Sequence, residues 1–190
     1  AGKALSANTA KYETLYANII KSFQTHYPDY YTQTEHVLAL QFHLTEKPQE
    51  TADHLAAMIH KNENQITTGF VGTPYILHVL SEYGYTELAY TLLLRREYPS
   101  WLYSVEKGAT TIWEHWDGIM ENGDFWSTEM NSFNHYAYGS VIDWIYEKAA
   151  GIHLMEEFPG FRKVKIRPMP DKRLGWLEAS IQTRNGVIRS

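Results

Sequence analysis

Residues 72–96 read GTPYILHVLSEYGYTELAYTLLLRR, and they spell two helices back to back. In the first half Pro74 follows Thr73, which suits an N-cap and a first helical position, because proline has no N–H to lose there and its φ is already helical. Ile76, Val79, Leu80 and Tyr83 then recur at the three- and four-residue spacing of one buried face. Gly84 marks the stop, since the residue just past a helix favours the left-handed backbone that glycine adopts without strain. The second half repeats the scheme, with Thr86 as cap and Leu88, Ala89, Leu92 and Leu93 inward. So short a connection makes the two helices antiparallel, and the pattern predicts stacked helical hairpins.

The same period extends upstream. Tyr12, Leu15, Tyr16, Ile19, Ile20 and Phe23 form an amphipathic stripe, and TQTEHVLALQF, residues 32–42, opens with threonines suited to capping before Val37, Leu38 and Leu40. Ala52, Leu55, Ala56 and Ile59 mark another helix. Downstream the rhythm stops. Residues 97–132 contain Pro99, Gly108, Gly118 and Gly123 with no sustained helical period, and a connection of that length is usually functional. A last helix is predicted from Phe133, with Tyr138, Val141, Ile142, Ile145 and Ala149 on one face and Gly151 beyond its end.

After Gly151 the period changes to two. FRKVKIRP (161–168) alternates Phe161, Val164 and Ile166 with charged neighbours, and WLEASIQT (176–183) puts Leu177, Ala179 and Ile181 on one face before an Asn185-Gly186 turn. Four residues follow that turn, which predicts a chain that stops inside a hairpin and is a cut piece of something longer. The expected division is a helical unit over 1–157 and a truncated β-unit over 158–190.

Composition narrows the function classes. The 190 residues, 44% hydrophobic and 14% aromatic, suffice for a real core. A formal charge of -5 without basic clusters gives no footprint for nucleic acid or anionic lipid. Cysteine is absent, which removes disulfides, thiolate metal sites and thiol nucleophiles. No apolar run is long enough to span a bilayer, so a soluble chain with no membrane partner is expected, in a compartment the residues do not specify.

The chemistry concentrates in GATTIWEHWDG, residues 108–118. Thr111 and Glu114 fit the capping-box spacing, in which the glutamate merely returns to a cap amide. Yet four of the chain's six tryptophans, Trp101, Trp113, Trp116 and Trp126, fall in this region beside Tyr103 and Phe125. Aromatic faces suit the C–H faces of sugar rings, and carboxylates beside them can grip hydroxyls. Glycoside hydrolysis with inversion needs two carboxyl groups about 6.5–9.5 Å apart on opposite sides of the bond. Glu114 and Asp117 would share one wall if the segment were helical, so the opposing acid must come from elsewhere: Glu106, Asp124, Glu129 or outside the chain.

His135, in MNSFNHYAYG, sits beside the long loop and can bond either a sugar hydroxyl or its own backbone. With nine histidines but no H-E-x-x-H pair or thiolate, neither a metal nor a cofactor is expected. TTGFVGTP (67–74) has the glycines of a phosphate loop without its lysine, and tight turning into the next helix accounts for them.

Three stretches in order, TTGFVGTPYILHVLSEYG, YPSWLYSVEKGATTIWEHWDG and MNSFNHYAYGSVIDWIYEKAAGI, resemble the C-terminal half of the catalytic domain of α-L-rhamnosidases of glycoside hydrolase family 78. The resemblance runs from about Thr32 to Pro168. It implies a mainly α fold, a partial (α/α)6 six-hairpin barrel followed by the first strands of a C-terminal β-sandwich. It further implies an inverting hydrolase acting on terminal α-L-rhamnose of glycosides. Glu114, matching the glutamate of T-T-I-W-E, would be the general base, and His135, matching the histidine of S-F-N-H-Y-A, a rhamnose contact. Trp113, Trp116 and Trp101 are expected beside them as substrate-binding aromatics.

The family's general acid lies in an earlier D-x-x-x-R-x-E-like stretch, and this chain has none. The chain alone is therefore expected to carry half an active site, to be inactive, and to expose apolar faces meant for the missing half of the barrel, with self-association as one outcome. Two rivals stand beside this expectation: another (α/α)6 inverting glycosidase, and a sugar-binding or scaffold domain without turnover.

Overall fold

A computed structural model describes residue 2 and residues 5–190. The chain divides into two compact units: one is Tyr30–Val141, and the other joins the residues up to Asp29 with Ile142–Ser190.

The first unit holds α2 (Gln33–Gln41), α3 (Pro48–Lys61), α4 (Thr73–Glu82), α5 (Thr86–Leu93) and α6 (Trp101–Glu106), following α1 (Ala10–His26) of the other unit. Thr32 and Glu35 close a full capping box on α2, with Thr32 Oγ1 accepting from the Glu35 N–H and Glu35 accepting from the Thr32 N–H at 2.8 Å. Pro48 and Pro74 stand in the first turns of α3 and α4. Helix α4 packs on α5, and α2 on α3 and α4. Val37, Leu40, Leu55, Ile59, Ile76, Val79, Leu80 and Leu92 are buried between them. Gly84 has φ +91, the left-handed turn expected of the stop.

The caps differ in detail from the sequence reading. Thr73 and Thr86 are the first residues of their helices, after Gly72 and Tyr85. Thr73 turns its hydroxyl to the Thr68 carbonyl at 3.1 Å. A buried Gln33 side chain fixes the segment entering that turn: its Nε2 donates to the Gln65 carbonyl and its Oε1 accepts from the Thr67 N–H, both at 2.9 Å. One long polar side chain thus satisfies two loop backbone groups inside the unit.

In the second unit α1 keeps the apolar stripe predicted for it, but no residue of the helix is buried, and Tyr12, Leu15, Tyr16 and Ile19 stand open. The last helical stretch begins at Ala137 rather than Phe133. It starts as a 3₁₀ turn over Ala137–Ser140, continues as α7 (Val141–Trp144) and widens to a π turn over Ile145–Ala149. Gly151 follows with φ +72, its position so tight that a Cβ would lie 2.1 Å from the Arg167 carbonyl carbon.

Strand β1 (Ile152–Leu154) pairs antiparallel with β2 (Val164–Ile166), and β3 (Ser180–Thr183) with β4 (Gly186–Arg189). Ala150, Ile152 and Ala179 form the core here, with Tyr146, Phe161, Val164, Leu177, Ile181 and Ile188 packed on it. The strand reading of Leu177, Ala179 and Ile181 on one face agrees with this core. The expectation that too few residues follow the turn for a returning strand is corrected: β4 completes the hairpin through Arg189, because the turn is Arg184-Asn185 and Gly186 already pairs with Thr183.

Candidate active site

Beyond α6 the chain runs from Lys107 to Tyr136 without a regular helix, yet it is not loose. Its two limbs clasp each other. The His135 N–H donates to the Ile112 carbonyl and the Glu114 N–H to the Ser132 carbonyl, both at 2.8 Å, and the Thr111 hydroxyl donates to the Phe133 carbonyl. Farther out, a bridge joins Ile119 and Phe125, and Gly123 makes the tip with φ +89. Backbone pairing across the loop takes the place of helical hydrogen bonds for the groups it joins.

This geometry replaces the capping-box interpretation of Thr111 and Glu114. No helix follows Thr111, and the Glu114 carboxylate reaches across the clasp: Oε2 accepts from the Ser132 N–H at 3.0 Å. Among the described residues no hydrogen bond engages Oε1, so one oxygen is held while the other is left for a ligand or water. The side chain is half-buried. The helical picture that put Asp117 on the same face as Glu114 lapses as well. Asp117 instead acts on a group of tyrosines: its charge contributes to the raised pKa of Tyr98, Tyr103 and Tyr138, in each of which burial is the larger cause. Tyr138 is pushed up to about 12, chiefly by burial, then by Tyr98, Asp117 and Glu114. Its phenol stays protonated beside two carboxylates.

The aromatic residues sort into open and packed ones. Trp116 is half-buried and stacks on Tyr138 with centroids 3.8 Å apart and planes 6° from parallel. Trp101 abuts Trp116 edge-on at 5.2 Å and donates its Nε1–H to the Tyr138 carbonyl at 2.8 Å. Trp113 lies edge-on against Phe133 at 5.2 Å. With 8% and 5% of their surface exposed, Trp101 and Trp113 offer a sugar no open ring face, which corrects the expectation of direct stacking on them. Trp126, by contrast, is exposed and stacks on His115 at 3.7 Å.

Of the two alternatives the sequence left open for His135, the structure shows the backbone bond. The imidazole Nδ1 accepts from the Ala137 N–H at 3.3 Å, which assigns the proton of the neutral ring to Nε2. The ring is nearly parallel to Phe70, 4.8 Å away, and to Tyr136, 5.5 Å away. Phe70, Tyr98 and Tyr138 were not singled out from sequence as site residues. A phenylalanine between two glycines was the signal for Phe70, because a tight turn presents the side chain at its tip.

Comparison with known proteins gives a consistent relationship. Residues 1–149 match the family described as the bacterial alpha-L-rhamnosidase 6 hairpin glycosidase domain, and residues 151–190 match the bacterial alpha-L-rhamnosidase C-terminal domain. An alpha-L-rhamnosidase of Streptomyces avermitilis is 41% identical over 194 residues, covering 97% of this chain and 18% of that protein. One from Formosa agariphila is 38% identical over 190 residues, covering 95% of this chain and 20% of the relative.

Among solved structures, the S. avermitilis α-L-rhamnosidase complexed with L-rhamnose superposes with a TM-score of 0.91 at 40% identity, over 99% of this chain and 19% of that one. The native enzyme of Aspergillus terreus follows at 0.85 and 35%, over 95% of this chain and 22% of that one. The chain thus spans about a fifth of the length of these relatives. The chain belongs to the bacterial α-L-rhamnosidase family, residues 1–149 to its six-hairpin glycosidase domain and residues 151–190 to its C-terminal domain.

Proposed function

We propose that the chain is part of a longer inverting α-L-rhamnosidase and carries the basic side of its active site. In this reading residues 1–157 belong to the catalytic barrel and residues 158–190 open the C-terminal β-domain. Glu114 is the general base: Oε1 takes a proton from a water as that water's oxygen bonds to the anomeric carbon and the glycosidic bond breaks on the opposite face. The departing oxygen receives its proton from an acid outside this chain. His135 and Trp116 contact the rhamnose, while Trp101 and Trp113 support them from behind.

The observation that carries the proposal is the state of Glu114. Its carboxylate is aimed by a backbone N–H from the limb that also bears His135, and one oxygen stays open. A glutamate serving only as a cap would have both its geometry and its partner within one helical turn. The open apolar stripe of α1 supports the fragment reading, since such faces are ordinarily covered.

The test is Glu114→Gln in the full-length protein. The expected result is a fall in kcat on an aryl α-L-rhamnoside of about 10²–10⁴-fold, with L-rhamnose affinity largely kept and the first product released by the wild type appearing as the β anomer in proton NMR. Unchanged turnover in the variant would refute the base assignment. A full-length protein that binds rhamnose but never turns over its glycosides would be a binding module instead. The isolated 190-residue chain is expected to show no turnover and to self-associate, and a monomeric mass at micromolar concentration would reject the latter.

A further inference from the structure

We propose that Phe70 is a positioning residue for His135, presented by the Gly69–Gly72 turn that leads into α4. The inference rests on His135 being a sugar contact.

The turn is built to hold its backbone still. Gly72 and Thr73 donate to the Gly69 carbonyl at 3.2 and 3.0 Å. Below it the Thr68 and Thr73 hydroxyls bond each other at 2.8 Å, and the buried Gln33 pins the Gln65 carbonyl and the Thr67 N–H. A Cβ on Gly72 would lie 2.9 Å from the Thr68 methyl, so the approach is close and leaves little slack. Yet the residue this rigid loop carries outward is apolar and 42% exposed. Its burial adds little to the core. What the ring does meet is His135, at 4.8 Å and 10° from parallel, and the Tyr138 ring at 5.2 Å.

Two constraints therefore act on the imidazole. The Ala137 N–H at Nδ1 settles which nitrogen carries the proton, and the Phe70 plate settles the plane in which Nε2–H lies. A hydrogen bond weakens steeply once its angle falls below about 120°, so a ring free to rotate loses much of its grip on a hydroxyl. Ordering the ring in advance also removes part of the entropy cost of binding. Since the imidazole meets the sugar before and during reaction, losing the plate should weaken ground and transition states alike and raise KM without lowering kcat.

The experiment compares Phe70→Leu, which keeps apolar bulk without a flat ring, with Phe70→Tyr, which keeps the plate, in the full-length protein. Loss of one preorganised side chain is expected to raise KM for an aryl α-L-rhamnoside and the calorimetric Kd for L-rhamnose by about threefold to tenfold in Phe70→Leu. In the same measurements kcat should change less than about twofold, and Phe70→Tyr should stay within about twofold of wild type. Phe70→Met carries the same expectation as the leucine variant, so a folding failure in either leaves the comparison intact. In a His135→Ala background, Phe70→Leu should have no further effect.

Equal behaviour of the tyrosine and leucine variants overturns the proposal, as does a leucine effect that multiplies in full with that of His135→Ala. If His135→Ala is impaired and Phe70→Leu is silent, only the positioning role fails. If His135→Ala is itself silent, the sugar-contact assignment fails and the positioning role with it.

Discussion

The α4–α5 hairpin and the loop from Lys107 to Tyr136 belong to the same compact unit but are held by different forces. In the hairpin the side chains that matter are aliphatic, buried and spaced by the helical period: Ile76, Val79, Leu80, Leu88 and Leu92. Their stabilisation is the non-directional removal of apolar surface from water. In the loop the links are directional: the Glu114–Ser132 exchange, the His135–Ile112 bond and ring contacts such as Trp116 on Tyr138. Apolar packing tolerates many residues of the right size, whereas a catalytic oxygen needs one position and one orientation. The scaffold is built by the first kind of force and the candidate site by the second.

Mutations can separate the two. Leu80 is fully buried, and Leu80→Ala should cost about 2–5 kcal/mol through lost transfer energy and a residual cavity. Thermal and urea unfolding would show it as a lower midpoint, while kcat of the molecules still folded stays near wild type. If the variant loses rate without losing stability, hairpin and site are not separable in this way. Glu114→Gln is the mirror image, with a collapse of rate at nearly constant stability.

Gly118 tests the loop side. A Cβ there would come within 3.1 Å of the Trp113 ring, 3.2 Å of Asn131 Oδ1 and 3.2 Å of the Phe133 ring. Its carbonyl also accepts from Asn131 Nδ2 at 2.7 Å and from the Trp126 N–H at 3.2 Å. No one neighbour can yield without moving another, so Gly118→Ala is expected to cost about 1–3 kcal/mol by overpacking. It should lower kcat as well, because the displaced Phe133 adjoins the Ser132 amide that aims Glu114. A variant with full activity and full stability would mean the loop adapts as softly as a surface turn.

These two regions were also unequally legible in the sequence. The stripe Ile76, Val79 and Leu80 and the Gly84 stop follow from local periodicity and backbone sterics, and the structure repeats them. Leu77 and Tyr90 are buried too, although the stripe omits them, because helices inside a bundle have neighbours on more than one side. In the loop, the density of tryptophans and the family resemblance pointed to the candidate site. Sequence could not supply the partner of Glu114, which is Ser132, 18 residues away, because no periodic rule links residues across an irregular clasp. Nor could it tell which tryptophans are open, since burial of Trp101 and Trp113 depends on the fold of the loop around them.

The capping box of α2 offers a smaller effect on the hairpin side. Thr32 Oγ1 is the acceptor for the Glu35 N–H, and Thr32→Ala should cost about 1 kcal/mol, seen as a slight drop in the unfolding midpoint with unchanged kcat. A larger loss would mean that Thr32 also supports the Gln33 side chain and, through it, the turn below Phe70.

The smallest effect at neutral pH is expected from Tyr138→Phe, and its value lies in its pH dependence. The phenol titrates near its ordinary value of about 10 when unfolded, and at about 12 when buried in the folded chain. Below the unfolded value both states keep the proton, so its contribution to stability is fully present. Between the two values the unfolded chain gives up the proton while the folded one retains it, and stability falls as pH rises. Phenylalanine has no such proton. Urea midpoints of wild type and variant should therefore run parallel up to about pH 10 and diverge above it, with the wild type dropping faster. The raised value at Tyr103 is common to both proteins, and because Tyr98 acts on Tyr138 the comparison is repeated in a Tyr98→Phe background. Curves parallel throughout would mean that the phenol does not sit in the desolvated, negatively charged wall formed with Asp117 and Glu114. The loop would then be held by its hydrogen bonds and packing without a desolvated phenol beside the carboxylates, and the contrast with the hairpin would narrow.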